Sequence, residues 1–397
     1  MSRPYQHAGR GATSSRGQKS PEQVGPRGRN DMKDSMRLLW IDLLKILAIF
    51  GVILLHASAP FLVPFEDSGQ WWTGNVYDSL SRWSVPLFIM ASGALVLPGA
   101  DKVVLRDFLL VRMRHILIPF LAWSFIYFIY SIHVKGQDHG LLDFFPMVIA
   151  GPIYYHLWFI YMLITLYLFA PVISALLNLA PRKFAWYLVG IWLCWASLLP
   201  AVHELLNLET YFVSDLNEYS ALKLCGYFFL GYMLKENVIH SKGGLVILLL
   251  LFLIGGAATM TGTYMLSSRA GEFVHFFYDY FSITVMTMTL ALFLFLKSVF
   301  HTPKEEAEDD NGRKHMNSRK LLRKISMSVF GIYLVHALIL ELLRDGRLGF
   351  TINHGSAFGI EIPIAAGIPL FAASIFVVSL GLILIFSHIP VIRKIIT

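Results

Sequence analysis

The chain has 397 residues, of which 56% are apolar and only 15% are charged, and its mean hydropathy is +0.59. Soluble domains carry about 25% charged residues, so this composition excludes an ordinary soluble protein. The formal net charge is +7 at pH 7, and the membrane topology predicted below accounts for it without nucleic-acid binding.

The first 38 residues are rich in Arg, Gly, Ser and Pro and contain too few apolar side chains to build a core. We predict that residues 1–38 form a disordered basic cytoplasmic arm ahead of a membrane domain over 39–397. The apolar run that follows the arm has full span length and no small-residue cleavage site, which indicates an anchor rather than a signal peptide. A second charged segment, 301–320, is predicted to be a solvated cytoplasmic loop.

Apolar runs recur along the rest of the chain, and about 20 apolar residues are needed to cross a hydrocarbon core about 30 Å thick. The sequence predicts ten transmembrane helices, the sixth of them short, near 39–60, 80–98, 116–133, 154–177, 184–202, 219–235, 244–266, 275–297, 321–343 and 363–387. Helices satisfy their backbone polar groups within lipid, so we predict an all-α polytopic membrane protein.

The basic residues predict an orientation. If the N-terminus is cytoplasmic, 26 of the 33 Lys and Arg residues lie in cytoplasmic segments and four lie in outer loops. This asymmetry follows the positive-inside rule and predicts that both termini are cytoplasmic. The two cysteines, Cys194 and Cys225, lie in separate predicted spans, so the sequence suggests no disulfide framework and no metal site.

The first predicted span, WIDLLKILAIFGVILLHASAP, contains Lys45 and His56. Eleven helical steps of about 100° bring these two residues to the same face, roughly 16 Å apart along the axis. With a cytoplasmic N-terminus, Lys45 lies in the inner half of the membrane and His56 near the outer surface. An imidazole titrates near neutral pH, so His56 is a candidate general base. In the alternative interpretation Lys45 extends to the inner headgroups and His56 lies in the outer interface.

Further polar residues are predicted at the same outer depth. Arg82 enters the second span and is suited to bind a negative charge, unless it faces outer headgroups. His156 and Trp158 open the fourth span, although Trp158 alone is typical of an interfacial belt. Tyr333 and His336 lie in the ninth span. A network that only holds the bundle together would explain any one of them, but their shared depth favours a common site.

These residues resemble the acyltransferase-3 family of bacterial membrane O-acyltransferases. Lys45 and His56 match the basic-x10-His signature of that family, and further similar segments follow in order: RWSVPLFIMASG, HLWF, GYFFLGYML and GIYLVHALIL. The resemblance implies a ten-span bacterial inner-membrane enzyme that moves an acyl group, by default acetyl, from acyl-CoA to a surface polysaccharide. Within the family, the WID, YHLWF and GIYLVHALI stretches most resemble the subgroup that acetylates the enterobacterial common antigen.

The resemblance also implies roles for individual residues. His56 would take a proton from the acceptor hydroxyl or carry the acyl group itself, with Lys45 near the donor arm. The residues expected to bind substrate or stabilise an oxyanion are Arg82, His156, Trp158, Tyr333 and His336. Membrane lipid and a surface glycan are the expected partners, and the oligomeric state stays open.

The chain departs from the family at two positions. Lys45 stands where the family usually has Arg, so the planar guanidinium fork is lost while the positive charge is kept. The cytoplasmic R-x-x-R segment of the family, thought to serve the acyl donor, is RMRH here, from Arg112 to His115. The residues expected to bind the acyl-CoA phosphates are Arg106, Arg112 and Arg114, although the positive-inside rule alone would also place them on this face.

A transporter is the alternative from another class, because intramembrane His, Lys and acidic groups also relay protons and move substrates. Transporters often carry a pair of interrupted helices in matching halves of the chain, which mark a binding site at the membrane midplane. No such pair is evident in this sequence, so it favours the enzyme.

Overall fold

The computed structural model describes residues 39–206, 221–300, 312–347 and 353–389. The predicted arm 1–38 lies outside the described residues, as does 301–311 of the predicted loop 301–320. The remaining residues of that segment, 312–320, are helical and not a loop. In chain order the α-helices are α1 Leu39–Ser58, α2 Gly69–Ser79, α3 Ser84–Val96, α4 Leu105–His133, α5 Phe144–Ala150, α6 Trp158–Leu179, α7 Arg182–Leu193, α8 Leu199–Leu206, α9 Ala221–Leu234, α10 Lys242–Ala270, α11 Ile283–Phe300, α12 Gly312–Arg344 and α13 Ile364–Phe386.

Short elements join or extend these helices. The 3₁₀ turns are Ala59–Phe61, Ala100–Lys102, Leu141–Asp143, Tyr155–Leu157 and Phe276–Tyr278, and a π-helical turn, Cys194–Leu198, joins α7 to α8. Within the described part of the chain the only strands are β1 Ser356–Ala357 and β2 Ile360–Glu361. They form an antiparallel hairpin in which Ser356 pairs with Glu361.

Nine helical segments of the described residues are long and apolar enough to cross a membrane. They are Leu39–Phe61, Gly69–Val96, Leu105–His133, Tyr155–Leu179, Arg182–His203, Lys242–Ala270, Phe276–Phe300, Ser318–Arg344 and Ile364–Phe386. The predicted all-α membrane class is confirmed. The sixth predicted span corresponds to α9, which has 14 residues and is therefore about 21 Å long, shorter than a typical bilayer core. The orientation of the termini stays a prediction.

Helix α1 lies at the centre of the bundle and packs against α2, α3, α11, α12 and α13. Burial separates central helices from peripheral ones. In α12, 72% of the most apolar window is buried within the protein, against 22% in α10. The polar residues Tyr333, His336 and Glu341 of α12 are buried, so their side chains face protein and not lipid.

Two glycines allow α3 and α9 to pack closely. A Cβ atom added at Gly93 would lie 1.9 Å from the carbonyl oxygen of Phe228, and one added at Gly231 would lie 1.9 Å from the carbonyl oxygen of Met90. Each helix therefore places a glycine against the backbone of the other, which is how small residues bring membrane helices together. This contact fixes the short helix α9 against α3, the helix that also packs on α1.

Candidate active site

Helix α1 carries Lys45 and His56 to the walls of two cavities, which we call the Lys45 cavity and the His56 cavity. The His56 cavity has a volume of about 30 Å³ and is lined by Val52, Leu55, His56, Val85, Phe88, His156, Trp158, Phe159, Tyr280 and Tyr333. Four of the predicted site residues, from α1, α6, α12 and the turn before α6, thus share one wall. Only a few small groups fit in such a volume, since a water molecule needs roughly 10–15 Å³.

Three histidine rings meet at the His56 cavity. His336 on α12 stacks on His56 with the ring centroids 5.5 Å apart, and it meets His156 edge to face at 5.0 Å. His156 and His336 are buried, at 2% and 0% exposure. Although His336 does not line the cavity, it contacts both histidines that do.

The ring nitrogens of His156 and His336 differ in whether they have a hydrogen-bond partner. Nδ1 of His336 lies 2.6 Å from the carbonyl oxygen of Tyr333, so Nδ1 carries the ring proton and donates a hydrogen bond to that oxygen. Its Nε2 atom, and both ring nitrogens of His156, are buried without a hydrogen-bond partner. A buried polar atom left unpaired costs about 1–3 kcal/mol. The three nitrogens therefore favour a polar ligand atom at this point in the bundle.

Tyr333 positions the backbone next to the site. Its hydroxyl donates a hydrogen bond to the carbonyl oxygen of His156, which ties α12 to the turn before α6. Tyr127 makes a similar tie, because its hydroxyl donates to the carbonyl oxygen of Leu334 over 2.8 Å. The Tyr333 hydroxyl proton is thus engaged in holding His156, and the predicted oxyanion role of Tyr333 stays a prediction.

The Lys45 cavity is larger, with a volume of about 380 Å³. Its polar and cationic wall is formed by Lys45, Ser92, Arg112, His115, Tyr167 and Ser326. Asp42 accepts a hydrogen bond of 2.6 Å from Ser326, and its charge lies close enough to interact with that of Lys45. This cavity therefore combines the volume and the positive charge that a phosphate-bearing ligand requires.

Three aromatic residues separate the two cavities. Phe88, Phe159 and Tyr333 line both of them. The ring centroids of Phe88 and Phe159 are 6.1 Å apart, and those of Phe159 and Tyr333 are 5.4 Å apart. We call these three residues the aromatic partition. The two cavities follow one another along the face of α1, with the partition between them.

The profile of the acyltransferase domain that defines the acyltransferase-3 family matches residues 38–388. The chain belongs to the acyltransferase-3 family. Comparisons with curated proteins and with solved structures gave no significant match. The protein is a membrane acyltransferase, and nothing in the match supports the alternative of a transporter.

Arg82 of the acyltransferase does not line the His56 cavity, contrary to what its predicted role implies. Its Nε atom donates to Oδ1 of the buried Asp78 over 2.5 Å, and its guanidinium group lies 4.2 Å from the ring centroid of Tyr278. Its charge remains close enough to interact with His56. The sequence contained a signal for this pair, since Asp78 precedes Arg82 by four residues on helical spacing.

The basic residues predicted to bind the donor divide into two groups. All three arginines are exposed, but only Arg112 lines the Lys45 cavity, and Arg106 and Arg114 are not among its lining residues. His115, which the prediction passed over in favour of Arg114, lines the cavity instead. The reason is helical geometry, because residues three apart lie on one face of α4 and residues two apart do not. The R-x-x-H spacing in the sequence therefore already indicated that Arg112 and His115 share a face.

A second residue that the sequence did not single out is Tyr155. Its ring meets His56 edge to face with centroids 5.1 Å apart, and the residue is 47% exposed. The neighbouring Tyr154 donates a hydrogen bond to Glu341, and Lys135 binds both of them, at 2.9 Å and 3.0 Å. An exposed aromatic ring beside a network of charged donors and acceptors thus adjoins His56. In the sequence, Tyr155 was indistinguishable from an interfacial tyrosine.

The side chains near His56 were also compared with the requirements of a metal site. Across the described ranges, no group of three or more His, Cys, Asp or Glu side chains is placed to hold a metal ion. The histidine cluster of the acyltransferase offers acid, base and hydrogen-bonding groups.

Proposed function

We propose that this protein is an O-acetyltransferase of the bacterial inner membrane that moves an acetyl group from cytoplasmic acetyl-CoA to a hydroxyl group of a surface polysaccharide. One observation carries the proposal. A large cationic cavity at Lys45 and a small histidine-lined cavity at His56 follow one another along α1 and share the aromatic partition. This is the arrangement that a phosphate-bearing donor and a reactive thioester require.

On the donor side, Arg112 and His115 are three residues apart on α4 and face the Lys45 cavity together. Charge-assisted hydrogen bonds from such a pair suit the phosphates of a coenzyme A nucleotide. Lys45 adds a point charge deeper in the same cavity, where it would hold the polar pantetheine arm. The arm would then pass the aromatic partition and present the thioester to His56.

At the reacting centre, His56 takes the proton of the acceptor hydroxyl as its oxygen attacks the thioester carbonyl carbon. The new C–O bond forms, the C–S bond breaks, and the proton passes from His56 to the coenzyme A thiolate. An N–H group of the neutral His156 ring would stabilise the oxyanion of the tetrahedral intermediate, and the unpaired Nε2 atom of His336 would accept a hydrogen bond at the same site. A two-step route, in which His56 first carries the acetyl group, uses the same geometry.

On the acceptor side, Tyr155 offers an exposed ring on which the apolar face of a sugar would stack next to His56. Lys135 and Glu341 supply hydrogen-bonding groups on the same rim. This combination favours a saccharide acceptor over an apolar alcohol. The motif likeness to the subgroup that acetylates the enterobacterial common antigen supports a lipid-linked or polymeric sugar.

The test is a transfer assay with purified protein, labelled acetyl-CoA and candidate lipid-linked or polymeric sugars. His56→Ala should abolish label transfer while the protein still elutes as a folded species. The matched control is His240→Ala, at an exposed histidine outside the helices, which should keep full activity. Full activity in His56→Ala would overturn the mechanism. Movement of the sugar across sealed vesicles without acetylation would instead indicate a transporter.

A further inference from the structure

We propose that the His56 cavity is an acyl-binding chamber that admits only a short, uncharged acyl group, and that Val52, Val85 and Phe88 set this limit. The inference rests on the proposed function, because it concerns the acyl group that the thioester brings to His56. It goes further in assigning the choice of donor to named wall residues, none of which takes part in the chemistry.

The first argument is size. The chamber measures about 30 Å³, and one water molecule needs roughly 10–15 Å³, so about two or three atoms fit beside the histidines. The methyl group and carbonyl oxygen of an acetyl thioester fill this space. Each further methylene would have to displace wall atoms, and forcing extra methylenes into a packed interior is unfavourable.

The second argument is the rigidity of the wall. Val52 and Val85 are buried, at 5% and 7% exposure, on the facing helices α1 and α3. These helices touch closely next to the chamber, since a Cβ added at Gly51 would lie 2.9 Å from Cβ of Ser84. The residues that follow Gly51 and Ser84 are Val52 and Val85. Because Gly51 packs directly against the Ser84 side chain, the tight contact of α1 with α3 holds the two valines at fixed positions in the wall.

The third argument is charge. Among the described residues, no Lys or Arg lines the chamber. Arg82, which lies just before α3, already pairs with Asp78 at 2.5 Å. The carboxylate of a succinyl group would therefore be buried without its own cationic partner, which is strongly unfavourable. Dicarboxylic acyl donors are excluded by charge as well as by length.

Phe88 has a separate function in the wall because it also lines the Lys45 cavity. Replacing Phe88 by Ala would join the small chamber to the larger cavity, whereas Val85→Ala or Val52→Ala would enlarge the chamber alone. The valine variants thus extend the acyl length by one or two methylenes, and the phenylalanine variant should remove the length limit altogether.

The experiment compares acetyl-, propionyl-, butyryl- and succinyl-CoA as donors for the same acceptor. One methylene in a tight apolar pocket discriminates by about 10–200-fold, so we expect the wild type to use acetyl-CoA at least tenfold better than butyryl-CoA. Val85→Ala should raise the butyryl-to-acetyl rate ratio about tenfold. Val377→Ala, at a 64% exposed valine of α13, is the control and should leave the ratio unchanged.

Because the readout is a ratio within each variant, it does not depend on the amount of folded protein, and Val52→Ala provides a second enlarged chamber. A wild type that uses butyryl- or succinyl-CoA as well as acetyl-CoA would overturn the inference while leaving acyl transfer intact. Unchanged ratios in both valine variants would do the same. No transfer from any of the four donors would instead refute the proposed function itself.

Discussion

The rings of His156 and His336 meet edge to face with their centroids 5.0 Å apart, and each ring has a buried nitrogen without a hydrogen-bond partner. The two residues come from different parts of the fold, the turn before α6 and the middle of α12. Their contact means that a charge on one imidazole is felt directly by the other. Protonation of the pair is thus coupled, and at most one of the two rings is expected to be charged at a time.

His336 allows the two ring nitrogens to be tested separately. His336→Asn keeps a donor close to the position of Nδ1, which binds the carbonyl oxygen of Tyr333, but removes Nε2. His336→Gln keeps a polar atom near the position of Nε2. If Nε2 stabilises the reaction, kcat should fall about 100-fold in His336→Asn and less in His336→Gln. Equal losses in both variants would indicate that His336 only supports the packing.

The donor site can be tested through His115 and Arg114. His115→Ala should raise the KM for acetyl-CoA several-fold with little change in kcat, because His115 faces the Lys45 cavity and not the reacting atoms. His115→Arg, which restores the family spacing, should lower KM. Arg114→Ala tests the prediction from the sequence that Arg114 binds the donor. A larger KM effect from Arg114 than from His115 would contradict the cavity geometry.

The contact between α3 and α9 predicts a stability difference between two glycines. Gly93→Ala places a methyl group against the Phe228 backbone, so we expect a loss of about 1–3 kcal/mol or failure to fold. Gly190→Ala, inside α7, meets no atom within 4 Å and should be neutral or stabilising by up to about 1 kcal/mol. Thermal unfolding in detergent measures both. Equal unfolding temperatures would show that α3 and α9 do not pack as described.

His354 predicts a pH effect on stability from outside the spans. Its ring packs between Phe61 and Phe371, at 4.9 Å and 4.8 Å, and burial lowers the pKa of the His354 imidazole. The folded state therefore favours the neutral ring. The stabilisation is complete above the unfolded pKa of about 6.5 and is lost as pH falls through the lower, folded pKa.

His354→Phe keeps an aromatic ring at this position and removes the titration. The unfolding temperature of this variant should fall less than that of the wild type between pH 7 and about pH 5. His240→Phe, at an exposed histidine, is the matched substitution and should retain the wild-type slope. A His354→Phe variant with an undiminished slope would assign the acid sensitivity to other groups.

The class of fold was predictable from the sequence because lipid imposes a strong rule on composition and length. The spacing of Lys45 and His56 was likewise sufficient to predict that both lie on the face of α1 that looks into the bundle. The sixth predicted span shows the limit of this approach. Its apolar content is that of a membrane helix, but its 14 residues are held by the glycine contacts with α3, which hydropathy does not record.

Other features of the site depend on tertiary contacts. Arg82 pairs with Asp78 and so does not line the cavity. Sequence spacing alone does not indicate whether such an arginine binds a neighbouring carboxylate or a ligand. Tyr155 becomes notable only because His56 lies beside it in space. The contacts of His336 with His56 and His156 join residues about 280 and 180 positions apart, so their common depth was predictable but their contact was not.

The aromatic partition also matters to the cell in which such an enzyme works. A bacterial membrane stores energy as an ion gradient, and each elementary charge that leaks across it dissipates about 2.3 kcal/mol per 100 mV. Phe88, Phe159 and Tyr333 keep the two cavities from merging into a single open passage. In the proposed function the narrow pantetheine arm passes between these rings, whereas a hydrated ion would have to lose its water to follow it. The proposed transfer would therefore move an acyl group across the membrane without opening a path for ions.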